Sequence, residues 1–428
     1  MDQNISAHPP WSQASLIAFR FFFIYFIFYV FPFPLTYIPY AGVLFQPLSD
    51  LSAYTIKEIT KTFLGSPIVG TLNGSGDTSF QYAWFFLFLI YSSAGTIAWS
   101  FLDRKRNDYE KLLYWLFILL RYYLAIKMLS YGLDKFFKTQ FPFPSLSRLN
   151  QTYGESSPMG LLWTFMGYST TYNIFVGLGE VLGGVLLFFK RTRLLGALIV
   201  TIVMSHVAIL NLSYDVPVKL LSLHLFAIAV FLMAPDMKRL AKFFLWNEVV
   251  EPQPIAPVYI GEKTRWAYML GKGLLLAYIL IPMTIVQMKE KQTLDKYLKT
   301  SNKPKSFDGE YVVETFFLNG EEIPPNKLFT RRWKRFLINE RNASIQSTDG
   351  ASITWLCHVN PGYKKMMLIS PDLSTAGNFS LKEDGMTVTI EGIFYQDSLK
   401  VVAKRTSDNP YPLIDRGFHW VNEFPFNR

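Results

Sequence analysis

Residues 157–220 read SPMGLLWTFMGYSTTYNIFVGLGEVLGGVLLFFKRTRLLGALIVTIVMSHVAILNLSYDVPVKL. Two apolar runs, 171–189 and 194–212, flank a basic turn of Lys190, Arg191 and Arg193, and a third run begins at Val216. About 20 apolar residues in helix cover the hydrocarbon core of a bilayer, so the stretch reads as successive membrane crossings. Inside it stand Glu180, His206, Asn211, Asp215 and Lys219. Ionisable groups at bilayer depth cost several kcal/mol, which marks them as functional unless a partner accounts for them.

Working outward, the whole chain carries the same signature. Of 428 residues, 50% are hydrophobic, 17% aromatic and only 17% charged, against roughly 25% charged in soluble domains. Five more segments join the two above to make seven expected spans: 16–30 (extended by 31–38), 80–102, 112–133, 171–189, 194–212, 216–233 and 266–288. Arg20 interrupts the first and is expected to snorkel to the interface. The N-terminal segment lacks a basic n-region and a small-residue cleavage site, so it reads as a retained anchor.

The formal charge of +10 falls largely in loops. Arg104, Lys105, Arg106 and Lys111 lie in one, Lys190, Arg191 and Arg193 in the next, and Lys238, Arg239, Lys242, Lys263 and Arg265 in a third. All three fall on one side, which predicts a cytoplasmic N-terminus and an extracytoplasmic C-terminal domain, and leaves no basic surface for nucleic acid. In the outer segment 41–79 the middle, LSDLSAYTIKEITKTFLG (48–65), has apolar and polar residues at helical spacing and is expected to form a helix lying on the membrane surface. Segment 157–166 is too short to span and reads as an interfacial or re-entrant helix with Pro158 at its first position.

Beyond Met288 the character changes. A polar linker is expected over 289–305, followed by short alternating runs such as YVVETFF and MTVTIEGIFY, with turn signals Asn319-Gly320, Asp349-Gly350 and Asp384-Gly385. This predicts an antiparallel β domain over 306–428, a small barrel or sandwich. The expected division is 1–111, 112–236, 237–288, 289–305 and 306–428. The single cysteine, Cys357, excludes an intrachain disulfide or thiol relay. Phosphate-loop, dinucleotide, nucleophile-elbow and haem-attachment motifs are absent from the sequence.

Depth along the spans sorts the polar residues. Arg121 and Glu180 each lie about 15 Å from a basic loop, which predicts an ion pair that either fixes helix register or sits in a ligand cavity. His206 and His224 stand at matching depth on adjacent spans and read either as hydrogen-bonded to neighbours or as a proton relay; they lack metal-motif spacing. Nearer the outer face come Lys127, Tyr131, Asp134 and Lys135, then Asn211, Tyr214, Asp215 and Lys219, candidate ligand-binding residues at the mouth of a pocket. Asp215, just before Pro217, also reads as an N-cap of the sixth span. The segments 74–78 (GSGDT) and 141–144 (FPFP) are expected at the same face. Abundant aromatics around Trp163, Phe165 and Tyr168 read as interfacial belt residues or as stacking partners for a flat ligand.

The blocks RYYLAIKMLSYGLDKFF, GLGEVLGGVLLFFKRTRLLGALIVTIVMSHVAIL and VKLLSLHLFAIAVFLMAPD resemble the DoxX-like family, a four-helix membrane module. Arg121, Gly132, Lys135, Glu180, Gly183 and Arg193 occupy its loose pattern, and the resemblance covers residues 112–236. SPMGLLWTFMG, YDVPVKL and RGFHWVNEFPFNR look like a larger bacterial subgroup with an appended β domain. The resemblance implies a bacterial cytoplasmic membrane and redox biology, since relatives include a subunit of a thiosulfate:quinone oxidoreductase and membrane partners of oxidative-stress enzymes. Three extra spans and the β domain are absent from the minimal module. The resulting expectation is a lipid-embedded protein binding a quinone or other small lipophilic ligand in an outward-facing pocket. In that reading Glu180, Arg121, His206 and His224 form its proton or ligand site. The alternative is a non-enzymatic scaffold presenting the β domain to envelope or redox protein partners. A transporter is the weaker reading, because no inverted repeat is apparent.

Overall fold

A computed structural model describes residues 10–425, apart from 39, 71–73, 146–147, 150, 152, 252–261, 302–306, 308, 327–330, 340–341, 361, 371–374 and 407–411. The helices are α1 (Gln13–Val30), α2 (Ala41–Leu64), α3 (Ser79–Leu102), α4 (Glu110–Phe136), α5 (Pro158–Tyr168), α6 (Thr170–Leu187), α7 (Arg193–Ser213), α8 (Lys219–Met233), α9 (Met237–Phe244) and α10 (Glu262–Ser301). Among the described residues seven helical segments are long and apolar enough to cross a membrane, and they coincide with the seven expected spans. The chain is a multi-pass membrane protein with an appended β domain.

Hydroxyl caps set several helix starts. Ser157 accepts from Gly160 N–H with Pro158 at the first position of α5, Ser169 accepts from Tyr172 N–H at α6, and Thr78 from Gln81 N–H at α3. The short α5 and the membrane-length α6 are thus separate helices meeting at Ser169.

Close approach of α4 and α6 organises the membrane unit. A Cβ added at Gly177 would lie 2.8 Å from the Gly132 carbonyl oxygen, and one at Gly184 would lie 2.9 Å from that of Ala125. Small residues are the means by which membrane helices bring backbones together where apolar burial gives no preference for protein over lipid. Leu120, Leu124, Ala125, Met128, Leu187, Ala197, Val200, Leu225 and Ile228 fill the core around this contact.

Arg20 is buried within the unit and donates to Tyr109 Oη (3.0 Å), Ser100 Oγ (2.8 Å) and the Asp103 carbonyl (3.0 Å), so its head reaches the end of α3 and the loop that follows it. Helix α10 runs on to Ser301, through most of the segment expected as linker; its remainder, 302–305, lies outside the described residues. The reason is local: KEKQTLDKYLK combines strong helix formers with opposite charges four residues apart.

The second unit comprises residues 144–155 and 292–428. Its strands are β1 (Gly309–Leu318), β2 (Glu321–Glu322), β3 (Trp333–Asn339), β4 (Asn342–Ser347), β5 (Ser352–Asn360), β6 (Lys365–Ile369), β7 (Thr375–Asp384), β8 (Thr387–Phe394) and β9 (Asp397–Arg405). Apart from the two-residue β2, they form an antiparallel meander that β1 closes by pairing with β9. The β domain is therefore an eight-stranded barrel, which leaves no open sheet edge. Tyr311, Phe316, Leu368, Ile390, Val401 and Ala403 point inward with essentially no exposure. Asn319 and Gly320 both have positive φ, the geometry a tight primed hairpin turn requires.

Candidate functional site

In the membrane unit a cavity of about 220 Å³ lies among the C-terminal end of α4, the following loop, α5, α6, α7 and the start of α8. Its apolar wall is a small cluster built on Phe141, Leu162, Met166 and Val216, with Trp163, Val176, Leu210 and Tyr214 packed against it. Its polar wall holds Tyr131, Lys135, Gln140, Glu180, Asn211 and Ser222, and His206 stands at the edge.

The centre of the polar wall is an ion pair between Lys135 and Glu180. Lys135 Nζ donates to both carboxylate oxygens at 2.9 Å, and the side chains are only 6% and 2% exposed. Arg121, the expected partner of Glu180, is elsewhere: its guanidinium lies over the Tyr122 ring at 5.2 Å, and its Nε has no hydrogen-bond partner. Helix register explains the correction. With Gly132 opposite Gly177 and Ala125 opposite Gly184, Glu180 is level with Leu129, eight residues or roughly 12 Å from Arg121. Side chains tilt toward their own helix N-terminus, so in this antiparallel pair Lys135 and Glu180 lean together while Arg121 leans away.

Two polar atoms in the wall are buried without a partner among the described residues, Gln140 Oε1 and Asn211 Nδ2. Buried polar groups are nearly always hydrogen-bonded, so an unpaired acceptor and an unpaired donor in one cavity wall are exceptions. Neighbouring Asn173 stiffens the rim: fully buried, it donates from Nδ2 to the carbonyls of Met166 (3.2 Å) and Phe141 (3.4 Å). Lys138 Nζ donates to the Gly167 carbonyl (2.6 Å) and Thr170 Oγ1 (3.2 Å), tying the end of α4 to the joint between α5 and α6.

The two histidines are separated. His224 faces α1: its Nδ1 donates to the Leu220 carbonyl (2.6 Å), its Nε2 accepts from Tyr25 Oη (2.5 Å), and Tyr29 stacks on the ring at 4.1 Å. His206 faces the cavity edge on another helix. Equal depth therefore did not make them neighbours, because depth leaves open the direction in which a helical side chain points. A His206–His224 relay is not formed.

Of the remaining candidates, Tyr131 and Asn211 line the cavity and Tyr214 packs behind its apolar wall. Lys127 and Asp134 do not line it: Lys127 Nζ lies over the Tyr123 ring, and the Asp134 carbonyl accepts from Thr139 Oγ1, which also donates to Gln287 Oε1 of α10. Asp215 is exposed, with a left-handed backbone, and pairs with Lys219 at 2.8 Å. It does not cap α8. That role belongs to Asp77, whose carboxylate accepts from the N–H groups of Lys219 (2.6 Å) and Leu220 (3.0 Å). Gly76 N–H also donates to the Pro217 carbonyl at 2.8 Å, so segment 74–78 reaches the start of α8 and Gly74 borders the cavity. Asp77 was hidden in the sequence because its partners lie more than 140 residues away.

The fold and this cavity define a multi-pass α-helical membrane protein with an ion-paired polar pocket between helices. The DoxX family model matches residues 116–212, which run from α4 to the end of α7. An uncharacterised protein of Bacillus subtilis (strain 168), YwoB, is 32% identical over 124 residues, 29% of this chain and 79% of the relative. The chain belongs to the DoxX family. No solved structure matches it. The positions of the family pattern are structural contacts here: Lys135 with Glu180, Gly132 against Gly177, Gly183 against Val200, and Arg193 with Asp236 at 2.6 Å.

Proposed function

We propose that the cavity binds the uncharged polar head of a small lipophilic molecule, a quinone or a compound of that kind, and so serves membrane-linked redox chemistry. The observation that carries this reading is the pairing of one unpartnered acceptor, Gln140 Oε1, with one unpartnered donor, Asn211 Nδ2, in a wall whose ammonium and carboxylate neutralise each other. A quinone carbonyl accepts from Asn211, and a quinol hydroxyl donates to Gln140, so both redox forms find a partner. The net neutrality of the Lys135–Glu180 pair disfavours an ion as occupant. Phe141, Trp163 and Tyr172 offer flat faces to a ring. Proton exchange falls to Glu180 and His206, since both nitrogens of His224 are engaged elsewhere. A partner protein supplies the electrons.

Titration of the full chain in lipid nanodiscs with 2-methyl-1,4-naphthoquinone, read by tryptophan quenching, tests the reading. Asn211→Leu is expected to weaken binding about tenfold, the worth of one hydrogen bond, with folding stability unchanged. Absence of saturable binding by the wild-type chain refutes it.

A second reading, a scaffold presenting the barrel to envelope partners, is favoured by Phe418, Trp420 and Phe424, which are largely exposed near the chain end. Loss of a cross-linked partner in a Trp420→Ala/Phe424→Ala double variant supports that reading, and unchanged cross-linking refutes it. The basic loops support residence in a bacterial cytoplasmic membrane with the N-terminus inside and the barrel outside, which topology reporters fused at residues 107 and 350 would check.

A further inference from the structure

We infer that the cavity is loaded sideways from the bilayer, through a portal between α6 and α7, and that His206 at this portal hydrogen-bonds the polar head of an amphiphile whose apolar tail stays in lipid. The inference rests on the proposed ligand-binding role of the cavity and adds the route and the shape of the ligand.

Size is the first argument. A cavity of about 220 Å³ falls below the roughly 300 Å³ at which pockets begin to hold a whole drug-sized molecule. It accommodates a single head group, and a long tail must leave it.

Exposure shows where. Most residues of the wall are buried or half-buried, whereas Tyr172 on α6 and His206 on α7 are exposed. They flank one seam. A Cβ added at Gly183 would lie 2.7 Å from Val200, and one at Gly179 would lie 3.6 Å from Val203, so the next turn brings Val176 level with His206, and the turn beyond brings Tyr172 level with Leu210. All four residues line the cavity. The surface outside the seam is apolar: Phe175 and Leu178 on α6, Ile202 and Ile209 on α7, all exposed, are the lipid-facing surface of these spans.

His206 is the anomaly in that surface. It sits on the same stripe as Ile202 and Ile209, in the middle of a membrane-length helix, and neither ring nitrogen has a hydrogen-bond partner among the described residues. A polar side chain facing hydrocarbon without a partner is costly, and a head group passing or resting at the portal supplies the partner. The other exposed wall residue, Gly74, lies in a loop outside the spans and offers no apolar path for a tail.

Two probes separate the inference from its foundation: 2-methyl-1,4-naphthoquinone, and the same ring bearing a farnesyl-length tail with a terminal diazirine. The full chain is used in nanodiscs. After photolysis, the tailed probe is expected to label lipid-facing positions of α6 and α7 around Phe175, Leu178, Ile202 and Ile209. Ile209→Trp, which puts a bulky ring on the lipid-facing side of the seam and outside the cavity wall, is expected to weaken the tailed probe at least about tenfold while the tail-less ring keeps its affinity. His206→Phe is expected to weaken both rings about tenfold, and His206→Asn to restore much of that, since the amide again offers a donor and an acceptor. Labelling confined to other helices or to the loop at Gly74, or equal effects of Ile209→Trp on both probes, overturns the portal while leaving cavity binding intact. Failure of the wild-type chain to bind either ring overturns the cavity reading itself. Ile209→Phe, a smaller plug, replaces Ile209→Trp if the latter does not fold.

Discussion

Removing one partner of the Lys135–Glu180 pair should be far more damaging than removing both. At 2.9 Å the gross attraction is roughly 6 kcal/mol at an effective dielectric constant near 20. Desolvating each ion costs several kcal/mol, so the net worth of the intact pair is small. Glu180→Leu or Lys135→Met cancels the attraction but leaves the other charge buried, at a cost of about 3–5 kcal/mol. In the double variant Lys135→Met/Glu180→Leu both desolvation terms disappear, and stability should return to the wild-type value or exceed it by about 1–4 kcal/mol. Unfolding in mixed micelles, followed by tryptophan fluorescence across a denaturant titration, measures all four corners of the cycle. A double variant destabilised by the sum of the two single effects would refute the reasoning. The stable double variant then has a second use. If it folds but no longer binds the naphthoquinone probe, the pair acts on the ligand; if binding survives, the pair only sets the register of α4 against α6.

Gly184→Ala places a methyl group 2.9 Å from the Ala125 carbonyl and should destabilise by about 1–3 kcal/mol through overpacking; an unchanged melting temperature would mean the helices part without strain. Asp77→Ala removes the cap of α8 and should cost about 1 kcal/mol, with faster hydrogen exchange at the Lys219 and Leu220 amides; unchanged exchange there would place the cap elsewhere. Tyr25→Phe breaks the hydrogen bond to His224 Nε2 and should cost about 1 kcal/mol in the same unfolding assay, whereas loss of naphthoquinone binding in this variant would contradict the separation of His224 from the cavity.

The elements themselves were legible because their signals are local. A membrane span is a run of apolar residues, and each span expected from hydropathy is a helix here. The barrel strands follow alternation and the turns at Asn319-Gly320, Asp349-Gly350 and Asp384-Gly385, where strand pairing reverses.

Pairing was not legible, because it depends on three quantities that a linear reading lacks: register between helices, direction around each helix axis, and the tilt of the side chain. Depth alone matched Arg121 to Glu180 and His206 to His224. Register moved Arg121 about two turns away, and side-chain tilt brought Lys135 to Glu180 instead. Direction around the axis turned His224 toward Tyr25 and Tyr29, and His206 toward the cavity edge. The chain's composition and periodicity by themselves determined seven membrane spans and an appended β domain, and the short motifs around Gly132, Lys135, Glu180, Gly183 and Arg193 carried the resemblance to the DoxX family. Only the tertiary structure decided that Lys135 at the end of α4 and Gln140 just after it, Glu180 on α6 and Asn211 on α7 share one cavity wall, since that convergence of three segments is made by helix packing.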